Sequence, residues 1–258
     1  MPLTCLSRIA AIVLAVATGL SPAAAEPGES FLDQFDRIDS SRWLISDGWT
    51  NGDWMNCVWS RDAVSARNGL LNLAFEAATN AARPYRCGEV QSRAVYGYGT
   101  FEIMFRTGRG DGLNAAFFTY IGPTHKQPHH EIDVEVLLRD PGRVSFNTYV
   151  DAVPLNGGTV ALARPADAEF VHFAFTWRPD GIIWYVNGKE RQRTSPGVPL
   201  PSVPQKIFAS LWGSGTFDDW MGKFDPAAVP QTMQIDWIAY TRLGEDCQFP
   251  ASILCDGS

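Results

Sequence analysis

The chain has 258 residues, a formal net charge of −7 and 45% hydrophobic residues, among them 15 Phe, 9 Trp and 7 Tyr. An acidic chain without basic blocks is ill suited to nucleic acid or to an anionic membrane surface, so neither is an expected partner. Its apolar and aromatic content is ample for one large core.

At the N terminus, Arg8 precedes an apolar run from Ile9 to Leu20, and Ala23-Ala24-Ala25 precedes Glu26. That order describes a secretory signal peptide over residues 1–25. The run falls short of the about 20 apolar residues that a membrane span needs, so the mature protein is expected to be secreted, extracellular or periplasmic, with no membrane anchor. Residues 26–258, 233 in number (258 − 25), suit a single all-β domain. Cys5 leaves with the signal, and the even remainder, Cys57, Cys87, Cys247 and Cys255, suits disulfides in an oxidising compartment. Four cysteines allow three pairings. The expected one closes a small C-terminal loop with Cys247–Cys255 and leaves Cys57–Cys87 to tie two early strands together.

Strand-like runs then recur between clusters of Gly, Pro, Asn and Asp: Gly69–Phe75, Tyr98–Phe105, His172–Trp177 and Gln234–Tyr240. Ile182–Val186 runs into Asn187-Gly188 and out through Lys189, a strong hairpin signal. No stretch of the mature chain keeps a helical period. Many short strands with frequent turns predict a two-sheet β-sandwich of jelly-roll type. Bent so that one sheet is concave, it would form a cleft long enough for a polysaccharide. Trp49, Trp54, Trp59, Trp184, Trp212 and Trp220 are candidates to line it, although most aromatics of a sandwich belong to its core.

The most informative segment is Glu131-Ile132-Asp133-Val134-Glu135. On a strand, alternate side chains face opposite ways, so the three carboxylates share one face and Ile132 and Val134 the other. Alternating acid and aliphatic residues also describe an ordinary half-solvated strand. Here the neighbours Phe117–Tyr120 and Phe146–Tyr149 present aromatic and amide groups, which suit sugar faces and hydroxyls. Paired carboxylates with separated pKa values are what glycoside hydrolysis uses.

Taken together, these residues resemble glycoside hydrolase family 16, the β-jelly-roll endo-glycanases that include lichenases. The resemblance spans nearly the whole mature chain and rests on Asp47-Gly48-Trp49-Thr50-Asn51-Gly52, Asn56-Cys57-Val58-Trp59, Cys87-Gly88-Glu89, Tyr96-Gly97-Tyr98-Gly99, Phe117–Pro123 and Glu131–Glu135, all in family order. The catalytic strand lacks the extra residue of laminarinase-type members, which points to the lichenase-like branch. The tail Gly244–Phe249 looks like a narrower group of secreted bacterial endo-β-1,3-1,4-glycanases that trim exopolysaccharides such as succinoglycan.

The resemblance implies a retaining reaction with Glu131 as nucleophile, Glu135 as general acid/base and Asp133 tuning their protonation. Repulsion from Glu131 and Asp133 is expected to raise the pKa of Glu135. It also implies that Asn51, Glu89, Phe118, Tyr120, Asn147, Tyr149 and Trp212 line sugar subsites. Asp236 and the backbone of Gly69 match a structural calcium site, with no cofactor required for the chemistry. Four departures fall in or near the cleft: His129 and His130 replace Trp-Asp, Gln91 replaces Arg and Ser210 replaces Asn. They leave the carboxylates in place and put the substrate in question, His129 standing where an indole platform would meet the sugar. His125, His129 and His130 could suggest a metal site, but only His129 would share the carboxylate face.

The expected function is therefore a monomeric, secreted endo-β-glycanase acting on an exopolysaccharide. A lichenase acting on mixed-linkage β-glucan and a non-catalytic carbohydrate-binding jelly roll are the alternatives, and a transglycosylase would carry the same residues. An acidic enzyme needs local positive charge to hold an anionic polymer, and Arg83, Arg86, Arg93 and Arg139 are the candidates.

Overall fold

The computed structural model describes residues 28–79 and 82–255; the expected signal peptide at 1–25 lies outside them. The strands in chain order are β1 (Phe31–Asp33), β2 (Trp43–Ile45), β3 (Cys57–Trp59), β4 (Val64–Arg67), β5 (Leu70–Ala77), β6 (Tyr85–Ser92), β7 (Gly99–Arg106) and β8 (Leu113–Ile121). They continue with β9 (His130–Leu137), β10 (Arg143–Val150), β11 (Val153–Ala161), β12 (Val171–Arg178), β13 (Gly181–Val186), β14 (Lys189–Arg193), β15 (Lys206–Gly213) and β16 (Gln231–Arg242). The only α-helix among the described residues is α1 (Asp218–Met221).

Two sheets result. The cleft sheet has the order β11-β10-β9-β8-β15-β6 with β2 added beyond β6, and the back sheet runs β6-β5-β16-β7-β12-β13-β14. Strand β6 belongs to both. Its first residues pair with β5 (Cys87 opposite Phe75), whereas Gly88–Gln91 pair with β15. Gly88 marks the transfer: a Cβ there would sit 2.6 Å from the Ala63 carbonyl oxygen, so no other residue fits the corner without moving backbone.

Between the sheets the alternate residues of each strand form one core. Phe101 stacks on Phe175 and Phe105 packs on Phe173, both pairs at 4.8 Å between ring centroids. Trp59 and Trp184, candidates for the cleft by composition, lie in this core instead, as large rings alternating inward on their strands must. The hairpin after β13 forms as expected, with φ of 48° at Asn187 and 73° at Gly188.

Both expected disulfides form. Cys57–Cys87 joins β3 to β6 beside the corner, and Cys247–Cys255 closes the tail. That tail docks on the back sheet through Phe249 against Trp237 and through Ser252, which donates to the buried Glu102 carboxylate.

Candidate active site

Strand β9 carries the three carboxylates. Ile132, Val134 and Val136 are completely buried, each contributing about 1.5–3 kcal/mol of burial. A one-residue slip would push these aliphatics out and the acids in, so the core holds the acidic face toward the cleft.

Register across the cleft sheet then sorts the facing side chains into rows. Lys206, Tyr120, Glu131 and Tyr149 are successive Cα partners on β15, β8, β9 and β10. The next row is Gln91, Phe208, Phe118, Asp133 and Asn147; the one after is Glu89, Ser210, Ala116, Glu135 and Ser145. The sequence placed the acids on a face; the rows show what stands beside each.

Glu131 Oε2 lies 2.6 Å from His129 Nε2. The His129 ring stacks on Tyr149 at 5.2 Å and meets Tyr120 edge-on at 5.1 Å, so the nucleophile candidate is held from outside the strand. Asn114 donates its Nδ2–H to Glu135 Oε1 at 2.7 Å. Burial pushes the Glu135 carboxyl up to about 7; the Asn114 bond opposes that rise and the charge of Glu131 adds to it. The expected repulsion from Glu131 is present but burial is the leading cause, and Asp133 is not among the charges that raise Glu135.

Asp133, 4% exposed, has a pKa raised well above the usual carboxylate range, first by burial, then by Glu131 and Glu135, then by its hydrogen bond to Glu131. The three acids therefore share one buried site in which Asp133 is shifted toward its neutral form.

Open space flanks β9 on both sides. One cavity of about 800 Å³ is bounded by Trp49, Asn51, Glu89, Phe118, Tyr120 and Phe208, among others. A second of about 720 Å³ is bounded by Asn147, Tyr149, Leu155, Gly157 and Trp220. Trp54, His129, Glu131, Asp133, Glu135 and Trp212 border both, so the acids sit midway along a continuous cleft. Every subsite residue expected from the resemblance lines one of the two cavities.

Further groups support the cleft residues. The buried Trp59 donates to Asn51 Oδ1 at 2.9 Å, and Trp184, from the back sheet, donates to the Asp133 carbonyl at 3.2 Å. Ser46 donates to Glu89 Oε1 at 2.6 Å, although burial still pushes Glu89 up to about 7. Trp54 packs edge-on against Trp212 at 5.0 Å, and Trp212 meets Trp220 at 6.0 Å. All five of these tryptophans stand out in the sequence; Asn114 and Ser46 carry no local signal, since only strand pairing brings them to the acids.

The candidate arginines divide. Arg83 pairs with Asp53 at 2.8 Å, and Arg86 with Glu76 at 2.8 Å and Asp62 at 3.5 Å. Arg139 donates to the Asp219 carbonyl beyond Trp220. Arg93 follows the end of β6, donates its Nε–H to the Ser40 carbonyl at 2.7 Å and lies near enough to Lys206 to disfavour its charge.

Asp236 lies exposed at a bulge of β16 between the register pairs Ile235–Leu71 and Trp237–Met104, level with the start of β5 just after Gly69. Calcium takes six to eight oxygens, and no group of three His, Cys, Asp or Glu side chains suited to holding a metal ion occurs among the described residues. An ion at this position would depend on backbone and water oxygens, and it would sit on the back sheet, outside the chemistry of β9.

A family model for the glycosyl hydrolases of family 16 matches residues 51–239. The chain is 43% identical over 227 residues to the endo-1,3-1,4-beta-glycanase ExoK of Rhizobium meliloti, covering 88% of this chain and 84% of that protein. It is 31% identical over 234 residues to the beta-glucanase of Bacillus licheniformis, covering 91% and 95%. Among solved structures, a lichenase from a mouse hindgut metagenome superposes with a TM-score of 0.80 at 33% identity, covering 84% of this chain and all of that one.

Proposed function

The chain belongs to glycosyl hydrolase family 16, and from that premise we propose that it is an exported, retaining endo-β-glycanase that cuts β-glucosidic bonds within a bacterial exopolysaccharide such as succinoglycan. The observation that carries the reading is the position of the acids midway along a cleft open on both sides. An endo-acting enzyme needs room for chain on either side of the scissile bond, and a non-catalytic module would have no use for a carboxyl poised near 7.

In this mechanism Glu131 attacks the anomeric carbon while Glu135, protonated at neutral pH, gives its proton to the leaving oxygen. Retaining catalysis places the two carboxyls about 5–5.5 Å apart. Straight β geometry separates the Cα atoms of residues 131 and 135 by roughly 13 Å, so the side chains close the gap by leaning across Asp133. Asp133 shares a hydrogen bond with Glu131, and the charge of Glu131 raises Glu135 further. Esterification of Glu131 removes that charge. The pKa of Glu135 then falls, which suits its second role as base toward the incoming water.

Export is supported by the residues 1–25 reading and by two disulfides, which persist in oxidising compartments. No helix among the described residues is long and apolar enough to cross a membrane. A monomer suffices, because one chain carries the whole cleft. The exopolysaccharide assignment draws on the similarity to the Rhizobium glycanase and on the tail sequence. Cleavage of mixed-linkage β-glucan is the second reading, favoured by the superposition on a lichenase.

The test is incubation of purified protein with succinoglycan and with mixed-linkage β-glucan, following new reducing ends and product size, with Glu131→Gln as control. Long internal products from succinoglycan, absent in the control, are expected. Cleavage of β-glucan alone would make the protein a lichenase.

A further inference from the structure

Lys206 opens β15 on the same face as Phe208 and Trp212, which line the aromatic cavity, and its Nζ reaches Gln91, which lines it too. It is the Cα partner of Tyr120, which is the partner of Glu131. Strand spacing of about 4.8 Å therefore puts Lys206 roughly 10 Å across the sheet from the nucleophile candidate. Its ammonium, with three donors to place, has one hydrogen-bond partner among the described residues, the Gln91 side-chain oxygen at 3.2 Å. No carboxylate among those residues neutralises it. The groups around it are basic or neutral: Arg93 lies near enough to disfavour its charge, and Lys206 does the same to His125 across the cavity.

A half-buried lysine without an acidic partner is unusual in a chain of net charge −7. Gln91 is oriented in turn, donating its Nε2–H to Ser46 Oγ at 3.3 Å, while Ser46 donates to Glu89 at 2.6 Å. The oxygen of Gln91 is thereby turned toward the lysine, fixing the ammonium at the edge of the aromatic floor made by Phe118 and Phe208, stacked at 4.9 Å. The aromatic floor can receive a sugar face while the cation meets an acid that the sugar carries.

We propose that Lys206, oriented by Gln91 and backed by Arg93, is a subsite for a carboxylate on the glycan, a uronate or an acidic substituent, on the β6 side of the cleft. This rests on the reading that the polymer is acidic, and it names the residue that selects for the acid. Lys206 is a specificity residue and takes no part in bond cleavage.

Wild type, Lys206→Gln and Lys206→Arg are compared on two matched pairs. One pair is succinoglycan against its carboxyl-reduced form; the other is mixed-linkage β-glucan oxidised at C6 to glucuronate against the untreated polymer. Lys206→Gln is expected to lower the acidic-to-neutral ratio of kcat/KM about tenfold, through KM, as loss of a charge-assisted bond does. Lys206→Arg should keep most of that ratio, and added salt should shrink it in the wild type. Calorimetric affinities for the same four polymers supply the ratio even where no cleavage occurs. A ratio unmoved by Lys206→Gln, or an equal loss on both members of each pair, overturns the subsite. If succinoglycan is left intact by the wild type while the oxidised glucan still separates the variants, the substrate reading fails and the Lys206 inference stands.

Discussion

The two arms of the cleft are built differently. On the β6–β15–β8 side every strand is hydrogen-bonded on both flanks and its reverse face is packed into the core, so Phe118, Tyr120 and Phe208 stand on fixed backbone. The β10–β11 side ends in an edge strand. The register there shifts between Phe146 and Thr148, Asp151, Ala152 and Asn156 take positive φ, and Gly157 and Gly158 bring bare backbone to the cleft. Side-chain clasps compensate in part, with Gln192 donating to the Asn156 carbonyl at 2.6 Å and Thr148 to the Leu155 carbonyl at 3.0 Å. The rigid aromatic arm is therefore expected to discriminate more among sugars than the edge hairpin does.

The strand shared by both arms gives the largest expected effect. Glu135→Gln should lower kcat about 10²–10⁴-fold on every glycan, the range lost with a general acid, and initial-rate assays on native and neutral polymers check that the loss is common to both. Next comes pH. Because Glu135 is raised to about 7 and must be protonated to act as acid, kcat/KM should fall as pH rises through about 7. The Asn114 hydrogen bond favours the charged form of Glu135, so Asn114→Ala should move that basic limb to higher pH; a limb that stays put or moves down would separate Asn114 from the acid.

The comparison of arms is sharpened by a paired substitution. Phe118→Ala, which removes half of a stacked floor, should cost about 1.5 kcal/mol, roughly tenfold in kcat/KM. Leu155→Ala on the edge hairpin should cost clearly less. Comparable losses would mean that both arms discriminate. The smallest effect belongs to the back sheet: if Asp236 and the Gly69 carbonyl help to hold calcium, a chelator lowers the melting temperature by a few degrees and leaves initial rates unchanged.

Much of this site was legible before any coordinates. The alternation of Glu131–Glu135 with Ile132 and Val134 determines which side chains share a face, because the strand period is two. Asn187-Gly188 specifies its hairpin, and the four mature cysteines left a simple pairing. Other features were not legible. Trp59 and Trp184 read as cleft aromatics and are core, since composition does not say which face of a strand a ring occupies. Lys206 could have been noticed once Trp212 was assigned to the cleft, as the two lie six residues apart on one strand and so share a face.

The sequence by itself determined the local facts: strand faces, the hairpin turn, the pairing of Cys57 with Cys87 and Cys247 with Cys255, and the family whose acids it carries. Tertiary structure alone decided the long-range ones. The row Lys206–Tyr120–Glu131 joins strands that are far apart in the chain, and such register comes from packing the two sheets over one core. Burial, likewise, has no local signature. It is why Glu135 is pushed up to about 7 mainly through desolvation, and why Asp133 is shifted toward its neutral form.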